Sequence, residues 1–330
     1  MDSLETNTSE NTSAADTNIT DLDSLVTTIP IAPPEFRSGF IAIVGRPNVG
    51  KSTLMNHLIG QKIAITSPVA QTTRNRLRGI LTTPEAQIIF VDTPGIHKPH
   101  HELGKVLVQN AKTAIKSVDL VLFVVDSSSE AGTGDRFIFD LLERIDTPVV
   151  LGLNKIDLQP SNYQFIDDTY ADLIAETNWS TVKFSATKGT GTEDLQQALI
   201  DRLDTGPYYY PPDLVTDQPE RFIIAELIRE QILLHTRQEI PHSVAITIEK
   251  IVETPKITKV NAAINIERSS QKGILIGKKG SMLKTIGSAA RQQIQKLIAG
   301  KVHLELFVKV EPKWRQSRLR LAEFGYQVEE

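Results

Sequence analysis

The sequence predicts an α/β domain built on a mostly parallel sheet, followed by a smaller α+β domain. Three observations predict it. Short apolar runs, FIAIV (40–44), QIIFV (87–91), LVLFVV (120–125), VVLGL (149–153) and TVKF (181–184), alternate with turns and amphipathic stretches. That is the pattern of strands buried on both faces by crossover helices. Past a stretch dense in Pro, Gly and Asp at 206–219, the order changes to paired strands and then helices, which indicates a separate α+β unit. The chain has 330 residues and is 40% hydrophobic, more than one typical domain and enough to build real cores.

Taken in order, residues 1–36 read as a disordered acidic tail. They hold seven Asp or Glu and no Lys or Arg, and they carry no strand or helix period. Residues 37–205 form the α/β domain and 206–219 a linker. Residues 220–330 form the second domain: a helix at 220–235, strands at 243–253 and 257–268, two helices around GKKG (277–280), a strand at 302–310 and a basic helix from Pro312.

Zero cysteines exclude disulfides and thiolate zinc sites,. No run approaches the roughly 20 apolar residues of a membrane span, and the first residues lack the basic and apolar regions of a signal peptide, so the expected location is the cytoplasm,. The net charge of −4 hides an asymmetry, because Lys256–Arg320 carries 15 bases against 3 acids. Clustered cations of this kind release counterions from a nucleic-acid backbone on binding it.

Chemistry concentrates at the predicted strand ends. Gly45-Arg46-Pro47-Asn48-Val49-Gly50-Lys51-Ser52, with Thr53 after it, fits G-x-x-x-x-G-K-[ST] between the run FIAIV and a helix,. Its glycines let backbone N–H groups converge on phosphate oxygens. Lys51 would reach the β- and γ-phosphates, and the Ser52 hydroxyl would ligate Mg²⁺. Asp92-Thr93-Pro94-Gly95, followed by Ile96, comes directly after QIIFV; Asp92 can hold Mg²⁺ through water and Gly95 can offer its N–H to the γ-phosphate. Asn154-Lys155-Ile156-Asp157 follows VVLGL, and Ser185-Ala186 follows TVKF. The Asp157 carboxylate can accept both N1–H and the 2-amino group of guanine, a pair that adenine lacks. Asn154 would brace the loops, Lys155 would lie along the base, and the Ala186 N–H would meet guanine O6. Four such motifs in this order indicate a GTPase acting on GTP to give GDP and phosphate.

Between the first two motifs, Gln71-Thr72-Thr73-Arg74 reads as a switch loop, with Thr73 the preferred Mg²⁺ ligand and Thr72 the alternative. His97, His100 and His101 read as solvated loop histidines rather than a metal site. In the second domain a G-x-x-G loop, Gly277-Lys278-Lys279-Gly280, lies between helical segments and continues into Ser281 and Lys284. Glycine permits close approach of an RNA backbone. Lys272, Lys278 and Lys279 add charge, Ile274 and Ile276 could floor a groove for bases, and Lys313, Trp314 and Arg315 could supply a cation and a stacking surface. Trp314 could equally pack the last helix. The α-β-β-α-α-β order is that of a type II KH domain.

GRPNVGKSTLMN, QTTR, DTPGIH, NKID, FSATKGTG, PERFIIAELIRE and SQKGILIGKKGSMLKTIG together resemble the Era family of bacterial GTPases over roughly residues 38–325. The resemblance implies a Ras-like P-loop GTPase domain followed by a KH domain. It also implies binding to the 3′ end of small-subunit (16S) ribosomal RNA, a role in maturing the 30S subunit, and peripheral association with the inner membrane. A monomer is expected. Where Ras-like switches place a water-orienting Gln, this chain has Ile96. Resemblance to potassium-stimulated GTPases suggests that Asn48 holds K⁺ against the phosphates. Alternatively, Asn48 tolerates an unusual backbone angle, and Arg74 or Arg76 supplies the charge.

Overall fold

The computed structural model describes residues 29–67, 77–93, 95–96, 109, 112–237, 240–298 and 300–326. The apolar runs become strands β1 (Arg37–Val44), β3 (Ala86–Asp92), β4 (Leu120–Asp126), β5 (Val149–Asn154) and β6 (Ser180–Lys183). β2 (Leu77–Thr82) adds an edge strand that the apolar-run criterion missed. The sheet order is β2-β3-β1-β4-β5-β6, parallel except for the β2–β3 pair.

Alternation within each strand feeds two cores. Ala42, Val44, Val121, Phe123, Val125 and Leu151 face α2 (Thr133–Leu142) and α3 (Tyr163–Leu173). Ile41, Ile43, Ile88, Phe90, Leu122 and Val150 face α1 (Lys51–Ile59) and α4 (Thr192–Ile200). Phe36, counted with the tail from its sequence, belongs to the domain instead. It is 2% exposed and its ring lies 4.3 Å from that of Tyr208.

Residues 206–219 run along the sheet edge as a fastened strap. The Ile80 N–H donates to Val215 O at 2.9 Å, Arg78 pairs with Asp217 at 2.6 Å, and the Tyr209 and Tyr210 N–H groups donate to Gln87 Oε1. The Ile80 N–H, on the edge of β2 that would otherwise invite pairing with another chain, is thereby satisfied,.

The second domain opens with α5 (Glu220–His235), then a helical turn at Ile240–Ser243, β7 (Ala245–Glu253) and β8 (Thr258–Ile266). After these come α6 (Ser269–Ile276), α7 (Ser281–Ile298), β9 (Val302–Val310) and α8 (Arg318–Glu323). β7 pairs antiparallel with β8, and β8 parallel with β9. Ile224, Ile228, Val260, Ile264, Leu275, Ile286 and Ile294 form the core under the helices, continuous with one face of the first domain. Helix α5 is also the tie between the domains. Buried Glu230 accepts the Thr66 N–H at 2.9 Å and Lys62 Nζ at 2.6 Å.

The continuous basic helix expected from Pro312 is replaced by a 3₁₀ turn at Trp314–Gln316 and the short helix α8. The break has a packing cause. Trp314 is fully buried with Phe324 and Tyr326 at ring distances of 5.3 and 5.8 Å, and its Nε1–H donates to Ser243 O at 3.0 Å.

Candidate nucleotide and RNA sites

The phosphate loop joins β1 to α1 at the carboxyl edge of the sheet, where open α/β folds bind ligands. A Cβ at Gly45 would collide with the Val124 carbonyl of β4, and Gly50 sits at φ 104 against the Asn154 amide, so both positions require glycine,. Asn48 adopts φ 65, the left-handed region that Asn tolerates best among residues with a side chain. Lys51 is 6% exposed and donates to Gly45 O at 3.1 Å and Arg46 O at 2.9 Å. Burial pushes its ammonium down to about 8, against the opposing pull of the Asp92 carboxylate. Phosphate oxygens bound there would add counter-charge to this buried cation.

Ser52 Oγ donates to Asp92 Oδ2 at 2.7 Å, so the two expected Mg²⁺-side groups already share one spot. A hydroxyl and a carboxylate oxygen side by side are the hard donors that ion requires. Thr93 anchors the second motif through Oγ1 to Ile43 O at 2.8 Å, and the Ile96 N–H donates to Gly45 O at 3.2 Å. Gly95 approaches Pro47 so closely that a Cβ would lie 2.7 Å from its nitrogen. The Ile96 side chain is 1% exposed within the core of the sheet face carrying α2 and α3, so it cannot orient water. Pro94, Thr72, Thr73, Arg74, Arg76 and the three histidines lie outside the described residues.

The base-recognition loops converge as the strand order demands. Asn154 Nδ2 donates to Val49 O at 2.7 Å, while its Oδ1 accepts the Ala186 N–H at 2.9 Å. One amide therefore braces the phosphate loop and the Ser185-Ala186 loop together. Because the Ala186 N–H is engaged there, its expected bond to guanine O6 would have to be three-centred. Buried Ser185 closes its own turn by accepting the Lys188 N–H at 3.1 Å. Asp157 is exposed and bonds to no other described residue, leaving its carboxylate open to a base edge.

Two supporting groups escaped the sequence reading. Asp126, at the end of β4, holds Lys155 Nζ at 2.5 Å. Burial pushes that carboxyl up, but hydrogen bonds from Lys155 and Ser128 outweigh it and hold the group below the usual range. Fully buried Asp135 of α2 takes Arg46 Nε at 2.7 Å and fixes the second residue of the phosphate loop. Asp126 carried one legible signal, its place directly after an apolar run, which it shares with Asp92 and Asn154. Asp135 carried none.

In the second domain the G-x-x-G loop turns between α6 and α7 through Gly277 (φ 71), Lys279 (φ 53) and Gly280 (φ 78). Lys272, Lys278, Lys279, Ser281 and Lys284 are exposed, as expected. Beside the loop lies a groove of about 550 Å³, with Lys284, Gly287 and Arg291 on one wall and His303 on the other. Its apolar floor is Leu283, Leu304 and Leu306. Ile274 instead stands 52% exposed on α6, and Ile276 is half-buried.

Trp314 is not a stacking surface. Base stacking contributes about 1–3 kcal/mol, whereas removing a buried Trp costs about 3–5 kcal/mol. Arg315 is paired with Glu267, and Lys313 remains exposed.

A phosphate loop, the Asp92 carboxylate beside Ser52 and the exposed Asp157 carboxylate on one sheet edge are the arrangement of a GTPase, here joined to a domain of KH type. The family model described as "50S ribosome-binding GTPase" matches residues 40–155, and that described as "KH domain" matches residues 239–315. GTPase Era of Crocosphaera subtropica is 72% identical over 310 residues, covering 94% of this chain and 98% of its own. GTPase Era of Nostoc sp. is 71% identical over 315 residues, covering 96% and 97%. A crystal structure of Era in complex with MgGDPNP and nucleotides 1506–1542 of 16S ribosomal RNA superposes with a TM-score of 0.85 at 39% identity, over 88% of this chain and 99% of that one. The chain belongs to the Era family of GTPases.

Proposed function

We propose that this protein is a Mg²⁺-dependent GTP switch that binds the 3′ end of 16S ribosomal RNA and assists assembly of the 30S subunit. One observation carries the reading. The complete guanine-nucleotide motif set shares its chain with a basic groove beside a G-x-x-G loop, and the relative solved with 16S RNA matches both domains together at 39% identity. The large-subunit wording of the GTPase family model applies to residues 40–155 alone, without the domain that would contact RNA. Ser52 and Asp92 would hold the ion, joined by Thr73 or Thr72; bound there, it would neutralise charge on the β- and γ-phosphates. The protein would act as a cytoplasmic monomer. Any peripheral attachment to the inner membrane would use the same basic surface, since among the described residues no helix is long and apolar enough to cross a bilayer.

Sequencing the RNA crosslinked to the protein in cells tests this reading. Reads should pile up at the 3′ end of 16S RNA, and enrichment of 23S RNA or of messenger RNA would defeat it.

Ile96 is buried and cannot activate water, so the charge that develops during hydrolysis needs another source. Our reading assigns it to K⁺ held against the phosphates by the Asn48 side-chain oxygen, acting as an arginine finger would. The left-handed backbone of Asn48 bears equally on the plainer role of conformational tolerance. Hydrolysis should therefore run about tenfold or more faster in KCl than in NaCl at equal ionic strength, a lower bound set by the about 10³–10⁵ of a full arginine finger. Asn48→Ala should abolish the difference. Equal rates in the two salts, or stimulation that persists without Asn48, would exclude the cation.

A further inference from the structure

The second domain has a surplus of positive charge that no described residue offsets. Lys272, Lys278, Lys279, Lys284 and Arg291 are exposed along α6, the G-x-x-G loop and α7, and none pairs with a described carboxylate. The three acidic residues within Lys256–Arg320 are already engaged: Glu267 by Arg315, Glu305 by His303 at 3.1 Å and Glu311 by Arg320 at 3.4 Å. Self-repulsion of such a cluster destabilises the domain until a polyanion covers it.

The chain supplies one. Residues 1–28 contain six Asp or Glu and no Lys or Arg. Within them, Asp21-Leu22-Asp23-Ser24-Leu25 interleaves carboxylates with leucines, matching a groove with Lys284 and Arg291 on one wall and the apolar floor of Leu283, Leu304 and Leu306. The chain enters the first domain at Phe36, whose ring packs at a tilt against Tyr208 and whose carbonyl accepts the Gly206 N–H at 2.9 Å, beside the strap that leads into the second domain. From Ile29, where the described chain begins, back to Asp21 the segment can span about 26 Å at about 3.3 Å per residue,.

We infer that the acidic segment 1–28 seats Asp21–Leu25 in the groove between α7 and β9 and competes there with RNA as an intramolecular polyanion. The inference rests on the RNA-binding reading above and adds its regulation. A tethered segment faces the groove at an effective concentration on the order of millimolar, so even weak contacts occupy it for much of the time. RNA with more charges and stacked bases displaces the segment. The tail thus filters short or incidental polyanions more than the true target.

Two measurements test this. The first is the affinity of a labelled single-stranded RNA carrying the 16S 3′ end, measured for three proteins. These are the original protein, one lacking residues 1–28, and one carrying Asp2→Asn, Glu5→Gln, Glu10→Gln, Asp16→Asn, Asp21→Asn and Asp23→Asn. Both altered proteins should bind about threefold to tenfold more tightly at about 50 mM KCl, and the gap should close at about 300 mM as salt screens the tail. The second is carbodiimide crosslinking without RNA, which joins a carboxylate to a lysine amine with loss of water. It should link Asp21 or Asp23 to Lys278, Lys279 or Lys284, and added RNA should suppress the link. Equal affinities of all three proteins together with no crosslink would overturn the inference and leave the RNA reading intact. Failure of all three to bind RNA would overturn the RNA reading, and the crosslink alone would then decide whether the tail occupies the groove.

Discussion

Asp157→Asn should weaken GTP binding about 10²–10³-fold, equivalent to about 3–4 kcal/mol, while leaving the fold intact. The carboxylate is exposed and bonds to no other described residue, so its replacement removes no internal contact. The loss arises entirely at the base. An ionised acceptor taking two hydrogen bonds contributes about 1.5–3 kcal/mol for each, and an amide in its place points a donor at the guanine amino group. The same amide can donate to the 2-oxo group of xanthine. Affinity for xanthosine triphosphate should therefore rise above that for GTP in the variant, reversing the original order. Titration of both nucleotides against both proteins checks this. An unchanged GTP affinity would mean that Asp157 does not read the base.

Replacing Lys278 and Lys279 together by Asp should weaken binding of the 16S 3′ end about 100-fold or more at physiological salt. Two phosphate contacts are lost and two repulsions gained, and the dependence of affinity on salt should flatten by about 0.7 per lost contact on a single strand. Folding should survive. Both side chains are exposed, and Lys279 sits at φ 53, a region that Asp visits more readily than most residues. Intrinsic GTP hydrolysis should stay within about twofold, because the phosphate loop and the G-x-x-G loop belong to separate domains; exposed-charge changes elsewhere rarely exceed 0.5 kcal/mol. Retained RNA affinity would move the RNA site away from the G-x-x-G loop.

Both sites are legible in the sequence because their motifs are local. A phosphate loop requires particular glycines, a lysine and a hydroxyl within eight consecutive residues, and its backbone angles are set by those residues themselves. The structure bears this out at Gly45 and Gly50, whose positions exclude a side chain. The order of apolar runs likewise determined five of the six strands of the first sheet, and the switch from β-α alternation to β-β-α-α-β determined the second domain. Sequence also placed Lys278 and Lys279 in a loop between two helices. These readings survive because periodicity and turn chemistry are written in windows shorter than the elements they specify.

Only the tertiary structure decided what depends on distant residues meeting. β2 escaped because it is a short antiparallel edge strand, and the strap at 206–219 that satisfies its edge lies more than a hundred residues further along the chain. The groove wall joins Gly287 and Arg291 to His303 across two elements, and no single window records that juxtaposition. Trp314 shows the same limit in reverse. Its basic neighbours suggest a nucleic-acid contact, but burial against Phe324 and Tyr326 takes it away from solvent. The clamps on the nucleotide loops, Asp126 on Lys155 and Asp135 on Arg46, arise because parallel strands and their crossover helices deliver side chains from separate segments to one edge. Sequence determines which groups can do chemistry; topology determines which of them are held still enough to do it.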